Sequence, residues 1–353
     1  MTITLNDIET PAFVVNEARV LRNIDKFQAH CDGQGLKLRP HIKTHKTIGF
    51  AKAQVDAGAV GINCQKIGEA EVMADGGLED ILITFNILGA AKLKRLRAVA
   101  ERATLRVVAD NAVVVAGLAE AFADIGKPLK VLVECDTGAA RCGVQSPAEA
   151  VELAGLIDQS PGLEFDGLLT YPPVGGQSAV VAFMTEAKEG LAAAGIACTT
   201  ISSGGSPDMW QAETGGIVTE YRIGTYIYND RSLVDRGTCT WDDCAGHVLA
   251  TVVSTPAPGR AVIDAGSKAL TSDLLGLEGH GHVIGHPEAR IVGLSEEHGV
   301  MDVGEDSDLR VGDRIRIVPN HVCVVANMFD AAWLESDAGT LTPLKTDARG
   351  RVT

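Results

Sequence analysis

The sequence predicts an α/β fold: a (β/α)8 barrel of the TIM type over residues 8–235, then a C-terminal all-β domain over residues 236–353. Residues 1–7 are left to pair with the second domain. Three observations carry this reading. Short apolar runs alternate with helix-period segments about eight times before Asp235, which is the pattern of a parallel sheet with crossover helices. Beyond Asp235 the helical period gives way to short β-rich runs punctuated by Pro and Gly. The chain has 353 residues, 46% hydrophobic but only 4% aromatic, so its core is aliphatic and large enough for more than one layer. A doubly wound open sheet is the alternative that the alternation leaves.

The elements follow in order. Residues 8–15 (IETPAFVV) form a strand entered through Thr10-Pro11, and Asn16 caps a helix over 17–30. A strand over 36–38 delivers Lys43 at its end. A helix over 47–57 stops at Gly58, and residues 60–64 form the next strand. Strands at 81–85, 105–108, 129–134, 165–171 and 199–203 then alternate with helices at 90–103, 112–125, 146–159 and 177–194. In the second domain, residues 248–255, 260–264, 289–294, 314–318 and 322–325 are expected strands. Residues 276–285 form a Gly/His-rich loop, in which His280, His282 and His286 read as solvated. His247 opens a strand and reads as structural.

A net charge of -15 argues against nucleic acid and anionic membrane as partners. No basic-plus-apolar leader and no apolar run of about 18 residues appears, so a cytoplasmic protein is expected. The eight cysteines lack paired CxxC spacing and read as mostly reduced, buried thiols.

The chemistry concentrates at strand ends, where barrels place it. Arg39-Pro40-His41-Ile42-Lys43-Thr44-His45-Lys46 crowds cations around a lysine. A lysine among cations has a lowered pKa, and its amine can then form a Schiff base with a carbonyl. Arg141, Tyr171, Ser203-Gly204-Gly205-Ser206 and Arg222-Ile223-Gly224-Thr225 follow later strands. The two glycine loops offer hydroxyls and bare backbone N–H groups suited to a phosphate. His321-x-Cys323 places two side chains on one face of an expected strand, and imidazole with thiolate suits zinc.

Taken jointly, these stretches resemble the fold-type III pyridoxal-phosphate enzymes, the class of alanine racemase, and within it the D-threonine aldolase and D-serine dehydratase group. Further residues carry the likeness: Cys64-Gln65-Lys66 with Glu69-Ala70, Asp136-Thr137-Gly138, Asp264-Ala265-Gly266-Ser267-Lys268, Glu297-His298-Gly299 and Pro319-Asn320-His321. The resemblance implies that Lys43 holds pyridoxal 5'-phosphate, with Gln65 and Arg141 beside it and Tyr171 on its ring. It implies that Ser203, Gly204, Gly205, Gly224 and Thr225 take the phosphate and that Arg222 faces the pyridine nitrogen. His321 and Cys323 are implied as ligands of a divalent metal, zinc first, with manganese or magnesium as alternatives. Many relatives carry a histidine soon after the tyrosine, where Pro172-Pro173 stands here. The second acid/base is therefore left to His298 or a water on the metal, beside Lys43 and Tyr171.

The implied activity is cleavage of D-3-hydroxy amino acids to glycine and an aldehyde, as in low-specificity D-threonine aldolases. D-threonine aldolases typically show His-x-Asp at the metal position, whereas D-serine dehydratases show His-x-Cys, so β-elimination to a 2-oxo acid and ammonia is the alternative. Amino-acid racemisation is the third. The implied partners are a small D-amino acid substrate and a second copy of the chain in a homodimer.

Overall fold

The computed structural model describes residues 2–353. The chain divides into two compact units. One comprises Lys26–Lys43, Ile48–Gly224 and Arg351–Thr353; the other comprises the residues up to Asp25, Thr44–Thr47 and Thr225–Gly350.

The first unit holds eight parallel strands: Lys37–Leu38, Ile62–Cys64, Asp80–Ile83, Thr104–Ala109, Leu129–Cys135, Leu163–Thr170, Ile201–Gly204 and Glu220–Arg222. From Ile62–Cys64 to Glu220–Arg222 each strand pairs with the next in chain order, and Lys37–Leu38 pairs with Glu220–Arg222. The two ends of the sheet meet at a parallel bridge between His41 and Asn63, where Ile42 N–H donates to the Asn63 carbonyl at 2.9 Å. The expected barrel is therefore present. Its strands are rich in Val, Leu and Ile because helices cover one face and other strands' side chains the other. Leu82, Val108, Leu132 and Leu169 from four of them form a buried cluster. The crossover helices begin where the sequence offers caps. Asn111 accepts from Val114 N–H, and Ser146 accepts from Glu149 N–H ahead of Pro147.

One member of the basic stretch does not serve a site at Lys43. Arg39 is 2% exposed, and its Nε donates to Glu220 at 2.8 Å and its Nη1 to Asp80 at 2.6 Å. Asp80 also accepts from Arg106, which pairs with Asp166, and Asp166 with Lys130. The expected cationic crowding therefore fails at Arg39, whose charge is balanced by two carboxylates. Burial opposes ionisation of Glu220, but Arg39 and the Ser202 hydroxyl outweigh it and hold the carboxyl below its usual range. Removing one member leaves an unpaired buried charge. Glu220→Ala is expected to cost about 3–5 kcal/mol. The double change Arg39→Met, Glu220→Leu should cost clearly less than the sum of the two singles in urea unfolding, and additive losses would contradict the pairing.

The second unit carries a nine-stranded sheet: Ala12–Asn16, Gly246–Ala257, Gly259–Ile263, His282–Val283, Arg290–Leu294, Gly299–Gly304, Arg314–Val318, Ala331–Glu335 and Leu341–Lys345. The strand expected at the head of the barrel belongs here. Ala12–Asn16 runs antiparallel to Gly246–Ala257 and parallel to Ala331–Glu335. Phe13, Val14 and Val15 are buried, and an apolar run of that kind carries no mark of which sheet it joins. His247 lies opposite Val14 in this sheet, fully buried, and burial pushes its imidazole down to about 3, which suits a structural role. The expected strand over 322–325 is instead the start of a helix, Val322–Met328, with His321 at its N-cap. No helix among the described residues is long and apolar enough to cross a membrane.

Candidate active site

Lys43 is half-buried in the turn that follows the first barrel strand. The turn is pinned by its neighbours. Lys43 N–H donates to Nδ1 of His41 at 3.3 Å, which puts the His41 proton on Nε2, 3.1 Å from Oε1 of Gln65. Gln65 in turn donates through Nε2 to the Thr84 carbonyl at 2.8 Å, and its N–H donates to Glu69 at 2.7 Å. Gln65 therefore ties the Lys43 turn to the ends of the next two strands.

Arg141 and Tyr171 are brought together. The Arg141 guanidinium stands 4.8 Å above the centre of the Tyr171 ring, and Tyr171 keeps 40% of its surface exposed, so a flat platform is available. The loop that carries Arg141 is shaped by Asp136, which accepts from Gly138 and Ala140 N–H groups. It closes at Gly143, whose φ of +121° and 2.4 Å gap to Asp136 N leave no room for a Cβ.

Ser203, Gly204 and Gly205 sit beside Tyr171 and, with Asp208 and Gln211, line a cavity of about 150 Å³. The glycines act through room rather than through every N–H. A Cβ on Gly204 would lie 2.4 Å from the Arg222 carbonyl. Gly205 N–H already donates to that carbonyl at 3.1 Å, so it is not a bare donor for phosphate. Arg222 is buried, with Nη1 donating to Ser202 Oγ at 2.7 Å and Nη2 to the Thr170 carbonyl at 2.9 Å. Burial lowers its pKa to about 10, which leaves it a cation at neutral pH. Glu134 was not singled out by sequence. It is a lone acid in the apolar strand Leu129–Cys135, and that isolation is the signal that points to it. Burial pushes its carboxyl up, opposed by Arg141 and Arg222.

In the other unit, Cys323 Sγ lies 3.1 Å from Thr44 Oγ1 and 3.4 Å from Thr225 Oγ1. The Thr225 hydroxyl, expected on a phosphate, is thus directed at sulfur. Gly224 precedes it in the chain, as Lys43 precedes Thr44. His321 Nδ1 is 2.8 Å from Oδ2 of Asp273. Burial alone would lower the His321 pKa, but Cys323 and Asp273 raise it to about 9. His298 is exposed on the hairpin between Arg290–Leu294 and Gly299–Gly304. His282 stacks on Trp241 at 3.9 Å and His286 faces Glu288, so the histidine tract diverges. Among the described residues, no three His, Cys, Asp or Glu side chains are grouped to hold a metal.

Residues 15–232 match the family described as alanine racemase, N-terminal domain, and residues 245–334 match a putative serine dehydratase domain. The chain is 33% identical to the D-threonine aldolase of Arthrobacter sp, over 97% of this chain and 93% of that one. It belongs to this family. The family is one of pyridoxal-phosphate lyases, and the barrel seen here is its fold. Among solved structures, D-threonine aldolase from Filomicrobium marinum superposes with a TM-score of 0.93 at 31% identity, covering 100% of this chain and 99% of that one. D-threo-3-hydroxyaspartate dehydratase from Delftia sp. HT23 gives a TM-score of 0.88 at 30% identity, covering 97% and 98%. A cysteine-to-alanine mutant of that dehydratase is described as metal-free.

The residues present fit the family's cofactor. Lys43 stands on a pinned turn, the Arg141–Tyr171 platform is open on one face, and the missing Cβ of Gly205 would meet only Tyr171, at 3.9 Å. The donor chemistry of His321 and Cys323 fits a zinc-like ion, with an imidazole at the N-cap and a soft sulfur two residues on at the start of the same helix.

Proposed function

We propose that this protein is a pyridoxal-phosphate- and divalent-metal-dependent lyase that cleaves the Cα–Cβ bond of D-3-hydroxy amino acids, acting as a homodimer of the low-specificity D-threonine aldolase type. The barrel unit carries the cofactor residues, and the unit with the nine-stranded sheet carries the metal residues. The observation that supports it most is the Lys43 turn, Arg141–Tyr171 platform and Ser203–Gly205 loop at barrel strand ends, in a chain so like D-threonine aldolases over nearly its full length.

When bound, pyridoxal phosphate supplies a carbonyl that captures the substrate amine and a conjugated ring that accepts the electron pair of the broken bond. Lys43 would hold the cofactor through its amine and, once displaced by substrate, would return a proton to Cα after the Cα–Cβ bond has broken. Tyr171 supports the ring face and Arg141 the phenolic edge. Arg222, a cation fixed by Ser202 and the Thr170 carbonyl, would face the ring nitrogen and disfavour its protonation. His321 and Cys323 hold the ion that orients the substrate's carboxylate or β-hydroxyl. His298 serves as the second acid/base.

Cys323 favours a second reading, dehydration, because a His-x-Cys pair accompanies the dehydratase resemblance. Product analysis with D-threonine and D-serine separates the two. Glycine with acetaldehyde from D-threonine is the expected result. Formation of 2-oxobutanoate, with pyruvate from D-serine, would assign the dehydratase reaction instead.

A further inference from the structure

We propose that Asp273 is a positioning residue of the metal centre: its carboxylate fixes the ring of His321 so that Nε2 is presented beside the sulfur of Cys323. This rests on the reading of His321 and Cys323 as metal ligands.

The geometry carries it. Oδ2 of Asp273 is 2.8 Å from Nδ1 of His321. A carboxylate accepts, so Nδ1 carries a proton and Nε2 is the nitrogen whose lone pair is left for an ion once its own proton is displaced. A metal-binding histidine needs that tautomer, and a carboxylate on its other nitrogen is the usual means of setting it. The backbone that carries the carboxylate is held in place from two directions. Asn320, 1% exposed and next in the chain to His321, donates through Nδ2 to the Asp273 carbonyl at 3.3 Å and to the Gly279 carbonyl at 2.8 Å. Arg231 donates to Oδ1 of the same amide at 3.2 Å. On the other side, Asp273 N–H donates to Thr271 Oγ1, and Thr271 sits at φ +62°, where a β-branched residue is found only under constraint. Asn320 thus cross-links the backbone of Asp273 to the residue beside His321, and the two partners keep one separation although 48 positions apart in sequence.

On the other side of the ring, Cys323 lies two residues along, at the start of the helix Val322–Met328. Val322 N–H is tied to the buried Asp230 carboxylate at 3.1 Å, so the helix start cannot slide away from the histidine. Asp230 serves the backbone and Asp273 serves the ring. The two acids therefore have separate tasks.

The test uses the full-length protein loaded with pyridoxal phosphate. Zinc affinity is measured by competition with a fluorescent chelator for wild type, Asp273→Ala, Asp273→Asn and Cys323→Ala. Asp273→Ala is expected to bind zinc about 10- to 100-fold more weakly than wild type. Asp273→Asn, which still accepts through Oδ1, should lose less, and cofactor absorbance should be the same in all four. If wild type binds zinc and Asp273→Ala binds it equally, Asp273 has no positioning role. If wild type and Cys323→Ala bind zinc alike, or neither binds, the metal reading itself fails and takes the inference with it. Long-range nitrogen–proton NMR of imidazole-labelled wild type gives an answer that does not depend on a folded variant. Zinc-loaded protein should show the His321 proton on Nδ1, and a proton on Nε2 would overturn the assignment.

Discussion

Lys43→Ala is expected to lower the cleavage of D-3-hydroxy amino acids at least about a thousandfold, because one substitution removes both the anchor of the cofactor and the group that returns a proton to Cα after the bond breaks. The other lysines are poor substitutes. Lys268 is exposed and held by Glu296 and Glu297 at 3.1 and 2.6 Å, which keeps its amine protonated and non-nucleophilic. Lys66 has its amine 3.3 Å from the centre of the Phe85 ring. Lys46 is 5% exposed, in the segment Thr44–Thr47 of the other unit. Borohydride treatment of wild type should therefore fix the cofactor on the peptide that contains Lys43, and the visible absorbance of the loaded protein should vanish in Lys43→Ala. A label on Lys46 or Lys268 would overturn the assignment.

Removing the ion, or replacing Cys323 by alanine, is the second large effect. Turnover should fall by roughly two to three powers of ten, equivalent to about 3–4 kcal/mol of transition-state stabilisation. Cofactor absorbance should stay, since Lys43, Tyr171 and Ser203–Gly205 lie in the barrel unit and Cys323 in the other. Zinc should restore the metal-stripped wild type and leave Cys323→Ala inactive. Cys323→Asp keeps an anion but hardens the donor, so its preference should move from zinc towards manganese or magnesium. Metal analysis beside rate measurements on the three proteins checks this. Full activity in the metal-free wild type would remove the ion from the mechanism and favour racemisation.

The barrel was legible because most of its strands are apolar runs followed by a helix, a local pattern that one pass along the chain can find; Glu220–Arg222, with two charges in three residues, does not show it and was not among the expected strands. Which sheet a run joins is a long-range choice. Ala12–Asn16 has the same buried Val pair as a barrel strand, yet it pairs with Gly246–Ala257. Val322-Cys323-Val324-Val325 misled for a different reason. β-Branched residues favour strands, but here the backbone N–H of Val322 meets the buried Asp230 carboxylate and a helix starts. His321 and Cys323 remain close, though not by sharing a strand face. Arg39 belonged by spacing to the Lys43 cluster, and its ion pairs with Glu220 and Asp80 could not be read from its neighbours in sequence. Asp273 and Glu134 share that limit, since an acid acquires a role only from what the fold places beside it.

The central claim concerns which bond of the substrate breaks. Incubating the zinc-loaded, pyridoxal-phosphate-loaded protein with D-threonine in deuterated water, and following all amino acids by mass spectrometry, tests it directly. Glycine carrying deuterium at Cα is expected, formed in step with acetaldehyde, while remaining threonine stays in the D form. Deuterated L-allo-threonine without glycine would contradict it, because the Cα–H bond would then be the one broken, Cα alone would be inverted and the Cα–Cβ bond would be intact.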